Sequence, residues 1–275
     1  MYMWNILYQF FIFLYFYIYK IMDDNQIVGR IIGGENVKTN NSYPFMATFW
    51  YLDGMYYKFK AGAIWIGGPY FLTAGHCVYE RDVRMIIIRM GDVHLEKQSV
   101  ELKVSIIVIH PDFKRATLEN DIAIIQVVES PSVLFPNLIP VVLPSNKYKI
   151  NYNTKTSLKI LGYGRETLEI LPNQMKHLLE LRELDIIIIS KDKTNYKKIP
   201  KNMFIAGNVI NGICVDSCIG DSGGPCLQFI GGVWVLVGII SCGVGCGNLS
   251  YPGLYTKVQP FYSWIMKPLF PATRR

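Results

Sequence analysis

Charge is scarce in this chain. Of its 275 residues 18% are Asp, Glu, Lys or Arg and 51% are hydrophobic. That balance excludes a disordered polymer, which needs low hydrophobicity and high net charge. Cysteine is sparse as well, and six residues are too few for a miniprotein held by disulfides in place of a core. Five of the six nonetheless fall within the last 62 residues. Histidine occurs only at His76, His94, His110 and His177. Internal repeats and low-complexity tracts are missing, which excludes solenoids and fibrous arrays, and sustained helical periodicity is missing until near the C-terminus. At roughly 150 residues per domain, the length fits one large or two small units.

Lys plus Arg exceeds Asp plus Glu by 28 to 21, a net charge of +7. The excess is spread along the sequence, which reads as a generally basic surface and not as a nucleic-acid platform. Met1–Tyr19 is apolar and uncharged up to Lys20. Residues 1–20 read as a cleaved secretory signal, although a basic start and a small-residue cleavage site are missing, with a retained membrane anchor and a mis-assigned start as alternatives. The short segment Ile21–Arg30 ends in a basic residue directly before Ile31-Ile32-Gly33-Gly34. Residues 1–30 carry equal numbers of acids and bases, so the +7 belongs to the body from 31 to 275.

That body reads as many short strands between turn residues. Phe45–Leu52, Met85–Met90, Val104–His110, Ile122–Val128, Ser157–Gly162, Leu181–Ile189 and Val233–Ser241 are the clearest, most of them rich in Val, Ile, Tyr or Phe. Phe261–Lys267 reads as a short helix, and Lys191–Lys201 as holding a helical turn. Glu129–Asn153 is the best connection between halves. The pattern is all-β, a sandwich or a pair of barrels.

Gly220-Asp221-Ser222-Gly223-Gly224 has the form G-x-S-x-G, which exposes a serine on a sharp turn. In an α/β-hydrolase the histidine follows that serine, yet every histidine here precedes Ser222. The remaining order is histidine, acid, serine. His76 lies in Leu72-Thr73-Ala74-Gly75-His76-Cys77 and Asp121 in Asn120-Asp121-Ile122-Ala123-Ile124.

With Ile31-Ile32-Gly33-Gly34, these blocks resemble the trypsin/chymotrypsin-like serine proteases. The resemblance spans about residues 31–270 and extends to Pro252-Gly253-Leu254-Tyr255-Thr256-Lys257-Val258 and Trp264-Ile265. It implies two packed six-stranded antiparallel β-barrels with the active site in the cleft between them. It also implies that His76 is the general base, Asp121 its orienting partner and Ser222 the nucleophile, with the backbone N–H groups of Gly220 and Ser222 as the oxyanion hole. A serine hydroxyl needs such a base at neutral pH, and imidazole titrates near it. Asp216 matches the base of the primary pocket, Ser217 a polar pocket residue, and Gly243 and Gly253 the walls that stay small, a set implying selection of Arg or Lys. Ser241 matches the residue that bonds Asp121; its carbonyl and Gly243 would pair with substrate backbone. Cleavage after Arg30 would free the Ile31 amine to pair with Asp221, marking a zymogen.

The chain also departs from the family pattern. The cysteine usual 16 residues before Cys77 is Ala61, and another usual cysteine is Ile205. The resemblance leaves Cys218–Cys246 as the predicted bridge. Cys77, Cys214, Cys226 and Cys242 either form two unfamiliar bridges or stay free. Cys242 replaces a groove tryptophan. Asp92 and Glu96 do not make a convincing metal site, and neither a metal nor a cofactor is expected. Asn40 and Asn248 open glycosylation sequons. The expectation is a secreted, monomeric endopeptidase zymogen with protein or peptide substrates, an activating protease that cuts after Arg30, protein inhibitors and no nucleic-acid partner. The alternative is a weak or inactive homologue that acts by binding.

Overall fold

The structure, a computed structural model, describes residues 34–98, 100–163, 180–210, 213–217, 220–243 and 248–269. The strands are β1 (Glu35–Asn36), β2 (Met46–Asp53), β3 (Tyr56–Gly67), β4 (Tyr70–Thr73), β5 (Ile86–Met90), β6 (Val100–Ile109) and β7 (Ala123–Val127), then β8 (Ser157–Gly162), β9 (Arg182–Ile188), β10 (Met203–Ile210), β11 (Ile213–Val215), β12 (Pro225–Ile230), β13 (Val233–Cys242) and β14 (Gly253–Lys257). All pair antiparallel. Strands β2-β3-β4-β7-β6-β5 close into one barrel. Strands β8-β12-β13-β14-β10-β9 form the second, closed where Ala206 and Gly207 of β10 face Ile188 and Ile187 of β9. The two-barrel expectation holds.

Side-chain alternation builds the first barrel. In β6, Val100, Leu102 and Val104 are buried while Glu101, Lys103 and Ser105 are exposed, the period-two pattern of a strand with one wet face. Phe49, Ala63, Ile64, Phe71, Leu72, Ile88 and Ile125 are buried, some inside the barrel and others, on the opposite face of the same strands, beneath packed neighbours. Leu158, Ile160, Ile186, Val237 and Tyr255 form the core of the second barrel. The C-terminal helix, Tyr262–Leu269, folds back onto the first barrel through fully buried Ile265. Phe261 and Trp264 hold the His110 ring edge-on at 4.9 and 5.0 Å, so that histidine is a packing residue. Burying side chains of this size contributes about 1.5–3 kcal/mol each.

The barrels meet at two glycines. Gly62 of β3 donates its N–H to Ser222 O at 2.8 Å, and a Cβ there would lie 2.7 Å from Gly224 N. Gly223, at φ +81°, leaves no room for a Cβ against the Thr73 hydroxyl and Gly62 O. Gly62→Ala is therefore expected to destabilise the chain by about 1–3 kcal/mol, the cost of overpacking a rigid contact. The urea unfolding midpoint measures it; an unchanged midpoint would show that the contact yields freely.

Candidate active site

Pairing of β4 with β7 sets Thr73 opposite Ala123. His76 follows β4 on the single helical turn Gly75–Val78, and Asp121 precedes β7, so strand register alone brings the two side chains together. Asp121 Oδ2 lies 2.7 Å from His76 Nδ1, while Oδ1 accepts the His76 backbone N–H at 2.8 Å. The carboxylate is fully buried and the histidine side chain is 13% exposed, so one edge of the ring still reaches solvent.

The second barrel completes the surroundings of Asp121. Ser241 Oγ, at the end of β13, donates to Asp121 Oδ2 at 2.5 Å. Thr256 Oγ1 of β14 donates to the Asp121 carbonyl at 3.0 Å. Burial alone would raise the Asp121 pKa, but the charge of His76 and the bonds from His76 and Ser241 hold it below the ordinary carboxylate value. Burial likewise opposes the charged form of His76, yet the Cys77 thiol and Asp121 outweigh it and hold the imidazole well above its usual value.

Ser222 sits on the loop leading into β12. Gly223 N–H donates to Ile240 O at 2.8 Å and Gly224 N–H to Asp221 O at 2.9 Å, which tightens the loop into the second barrel. The Ser222 hydroxyl donates to Ser241 O at 3.2 Å and not to His76. On the far side of the ring, the Cys77 thiol lies 3.5 Å from His76 Nε2, the nitrogen that would otherwise face Ser222. With Nδ1–H donated to Asp121, the charged ring donates its Nε2–H to the Cys77 sulfur, which favours the imidazolium. The missing cysteine at Ala61 leaves this thiol free. Sequence reasoning found the unpaired cysteine but not its contact with the ring. Removing the thiol should lower the His76 pKa. An NMR titration of His76 in Cys77→Ala is expected to show a lower midpoint than in wild type; an equal or higher one would contradict the pairing.

The candidate pocket residues gather at one end of the second barrel. Within the order β13-β14-β10-β11, Gly253 faces Ala206 and Val215 faces Asn208. Asp216, Ser217, Gly243 and Gly253 therefore sit at neighbouring strand ends. Asp216 is 1% exposed. Tyr255 OH, fully buried, donates to Ser217 Oγ at 3.5 Å. Gly220 lies on the Ser222 loop at φ +94°, and Asp221 beside it is fully buried. Arg30, Ile31, Cys218, Cys246 and His177 lie outside the described residues. Among the described side chains Cys77, Cys226 and Cys242 are free thiols, and burial pushes both Cys226 and Cys242 up. That answers part of the cysteine question in favour of free thiols.

Two closed antiparallel barrels carrying histidine, aspartate and serine at their junction define the chymotrypsin-type architecture. The family profile for trypsin matches residues 31–265, and the chain belongs to the trypsin family. It is 30% identical to vitamin K-dependent protein C of Mus musculus over 243 residues, which is 86% of this chain and 51% of that protein. The corresponding protein of Oryctolagus cuniculus is 31% identical over 216 residues, 76% of this chain and 46% of its own length. The protein of Rattus norvegicus is 29% identical over 243 residues, 86% of this chain and 51% of the relative. The chain thus spans about half the length of the curated relatives it matches. No helix among the described residues is long and apolar enough to cross a membrane.

Proposed function

We propose that the chain is the zymogen of a serine endopeptidase that hydrolyses peptide bonds after Arg or Lys. The observation that carries this reading is the convergence on Asp121 of His76 Nδ1, the His76 N–H and the Ser241 hydroxyl, with Ser222 bonded to Ser241 next to them. Asp121 fixes the tautomer of the neutral ring in which Nε2, once turned from Cys77 to Ser222, accepts a proton. Ser222 attacks the scissile carbonyl as His76 takes its proton. The imidazolium then returns that proton to the leaving amine, and water releases the acyl group by the reverse steps. Backbone N–H groups of Gly220 and Ser222 face the developing oxyanion, a stabilisation typically of about 3 kcal/mol per donor. Neither N–H is spent on a backbone carbonyl among the described residues, which supports that role.

Buried Asp216, with Gly243 and Gly253 at neighbouring strand ends, supports an Arg- or Lys-selective pocket, since a charge-assisted bond from a guanidinium or ammonium is stronger than a neutral one. Buried Asp221 supports activation by an Ile31 amine released after Arg30, with residues 1–20 as secretory leader and 21–30 as propeptide. A monomer with peptide substrates and protein inhibitors completes the reading.

The test expresses residues 21–275, cleaves after Arg30 and assays Arg and Lys esters against Phe and Leu esters. A burst on the basic esters is expected; no burst on any ester overturns the reading. One observation favours a second reading, a binding protein without turnover: His76 Nε2 is engaged by Cys77 and not by Ser222. Specific binding of peptides without release of product would support it.

A further inference from the structure

Although basic residues occur throughout the chain, one short segment holds a concentrated share of the excess. Residues 191–201 hold Lys191, Lys193, Lys197, Lys198 and Lys201 against Asp192 alone, which is more than half of the net charge of +7. All five lysines are exposed. The segment joins β9 to β10 and is firmly pinned. Asn195 N–H donates to Ser250 O at 2.8 Å, Tyr196 OH to Pro252 O at 2.9 Å and Thr194 Oγ1 to Lys191 O at 2.8 Å. Tyr196 and Ile199 turn inward. Together with Leu118 and Cys242 they pack on the small core of Met203, Ile205 and Leu254. Lys197 and Lys198, between them in sequence, are exposed on a segment that shares this core with Cys242 at the end of β13.

Nearby acids do not cancel this field. Glu119 is bound to Lys114 at 2.7 Å. That bond, with the added pull of Lys198 and Lys201, keeps the Glu119 carboxyl below its ordinary value. Asp192 accepts from Ser190 Oγ at 3.3 Å. Asp216 is buried.

We propose that this lysine ridge reads carboxylates on the substrate segment that precedes the scissile bond. The preferred substrates then carry Asp or Glu a few residues upstream of the cleaved Arg or Lys. The inference rests on the proposed endopeptidase reading and adds the substrate class to it. A substrate paired with Ser241–Gly243 as an added strand advances about 3.3 Å per residue, so its upstream residues pass Cys242 and reach Tyr196, Ile199 and the ridge. Lysine ammonium groups on flexible stems read charge and not shape, so Asp and Glu serve alike. Exposed pairs are individually weak, so several lysines must act together for about a tenfold preference.

The test uses the activated chain and quenched peptides with one scissile Arg, preceded by three residues that are acidic, amide or basic. A single-residue Arg ester, too short to reach the ridge, is the reference for every rate. In wild type, kcat/KM for the acidic peptide is expected to exceed that for the amide peptide about tenfold at low salt and to approach parity near 1 M salt, where screening is complete within about 3 Å. The combined variant Lys197→Ala, Lys198→Ala, Lys201→Ala, normalised to its own ester rate, is expected to lose most of that ratio. A ratio near one in wild type, or an undiminished ratio in the variant, overturns the proposal. Equal peptide rates together with ridge-dependent binding of a sulfated polysaccharide would assign the ridge to a polyanion and also overturn it. An active ester assay with equal peptide rates refutes the ridge and leaves the endopeptidase standing, whereas loss of ester hydrolysis refutes both.

Discussion

Ser222→Ala is expected to lower kcat on an Arg ester by about 10⁶-fold, the loss seen when the nucleophile of such a triad is removed. Folding should be nearly untouched. The loop that carries Ser222 is held by backbone bonds, from Gly62 N–H to Ser222 O at 2.8 Å and from Gly223 N–H to Ile240 O at 2.8 Å. Among the described residues the hydroxyl itself makes one hydrogen bond, to Ser241 O at 3.2 Å, so its removal forfeits about 1 kcal/mol. Active-site titration with an unchanged thermal midpoint checks both halves. A kcat loss under tenfold would show that another group performs the attack.

Asp121→Asn should cost about 10⁴-fold in kcat, the magnitude this substitution has in Ser-His-Asp triads. The carboxylate accepts from His76 Nδ1, from the His76 N–H and from Ser241 Oγ. An amide in its place presents N–H groups where only acceptors fit. The ring then flips its proton to Nε2 and has no lone pair left for Ser222. Stability follows the same bonds. Asp121 is depressed in the folded state, so its contribution is present above the unfolded carboxylate value of about 3.9 and is lost as pH falls through the folded value. His76 is raised, so its contribution is full below about 6.5 and is lost as pH rises through the folded value. The wild-type advantage over Asp121→Asn in urea unfolding should therefore peak near pH 5–6 and shrink toward both acid and alkali. A gap that is flat with pH would mean that the bonds carry no net charge coupling.

Much of this was legible in the sequence where the information was local. Ser157–Gly162 was read at the same residues as β8, and Val233–Ser241 stops one residue short of β13, because each has β-branched residues between clear turns. The strand β3, Tyr56–Gly67, was not read. It begins with exposed Tyr56 and half-buried aromatic and lysine residues and ends in a run buried without interruption from Ala61 to Ile66, so no period-two signal spans it. β10, buried from Met203 to Gly207, has the same defect. The Lys191–Lys201 turn proved to be a 3₁₀ turn of Lys191–Lys193, set in the pinned ridge.

The candidate site shows the same division. Order and spacing pointed to His76, Asp121 and Ser222 because each lies in a short motif. Thr256 on the Asp121 carbonyl and Gly62 under Ser222 were invisible, since those contacts cross between barrels and depend on strand register. The Cys77 thiol against His76 Nε2 was also missed. A lost disulfide partner is a sequence fact, but where the freed side chain then points is decided by packing.

The central claim is that Ser222 is a nucleophile activated by His76 above a pocket for basic side chains. The most direct measurement is covalent labelling with an organophosphate after cleavage at Arg30, read by mass spectrometry of the intact and digested chain. A single adduct on Ser222 is expected, slowed by excess arginine analogue and lost in His76→Ala. No adduct, or one at the same rate in His76→Ala, would contradict the claim.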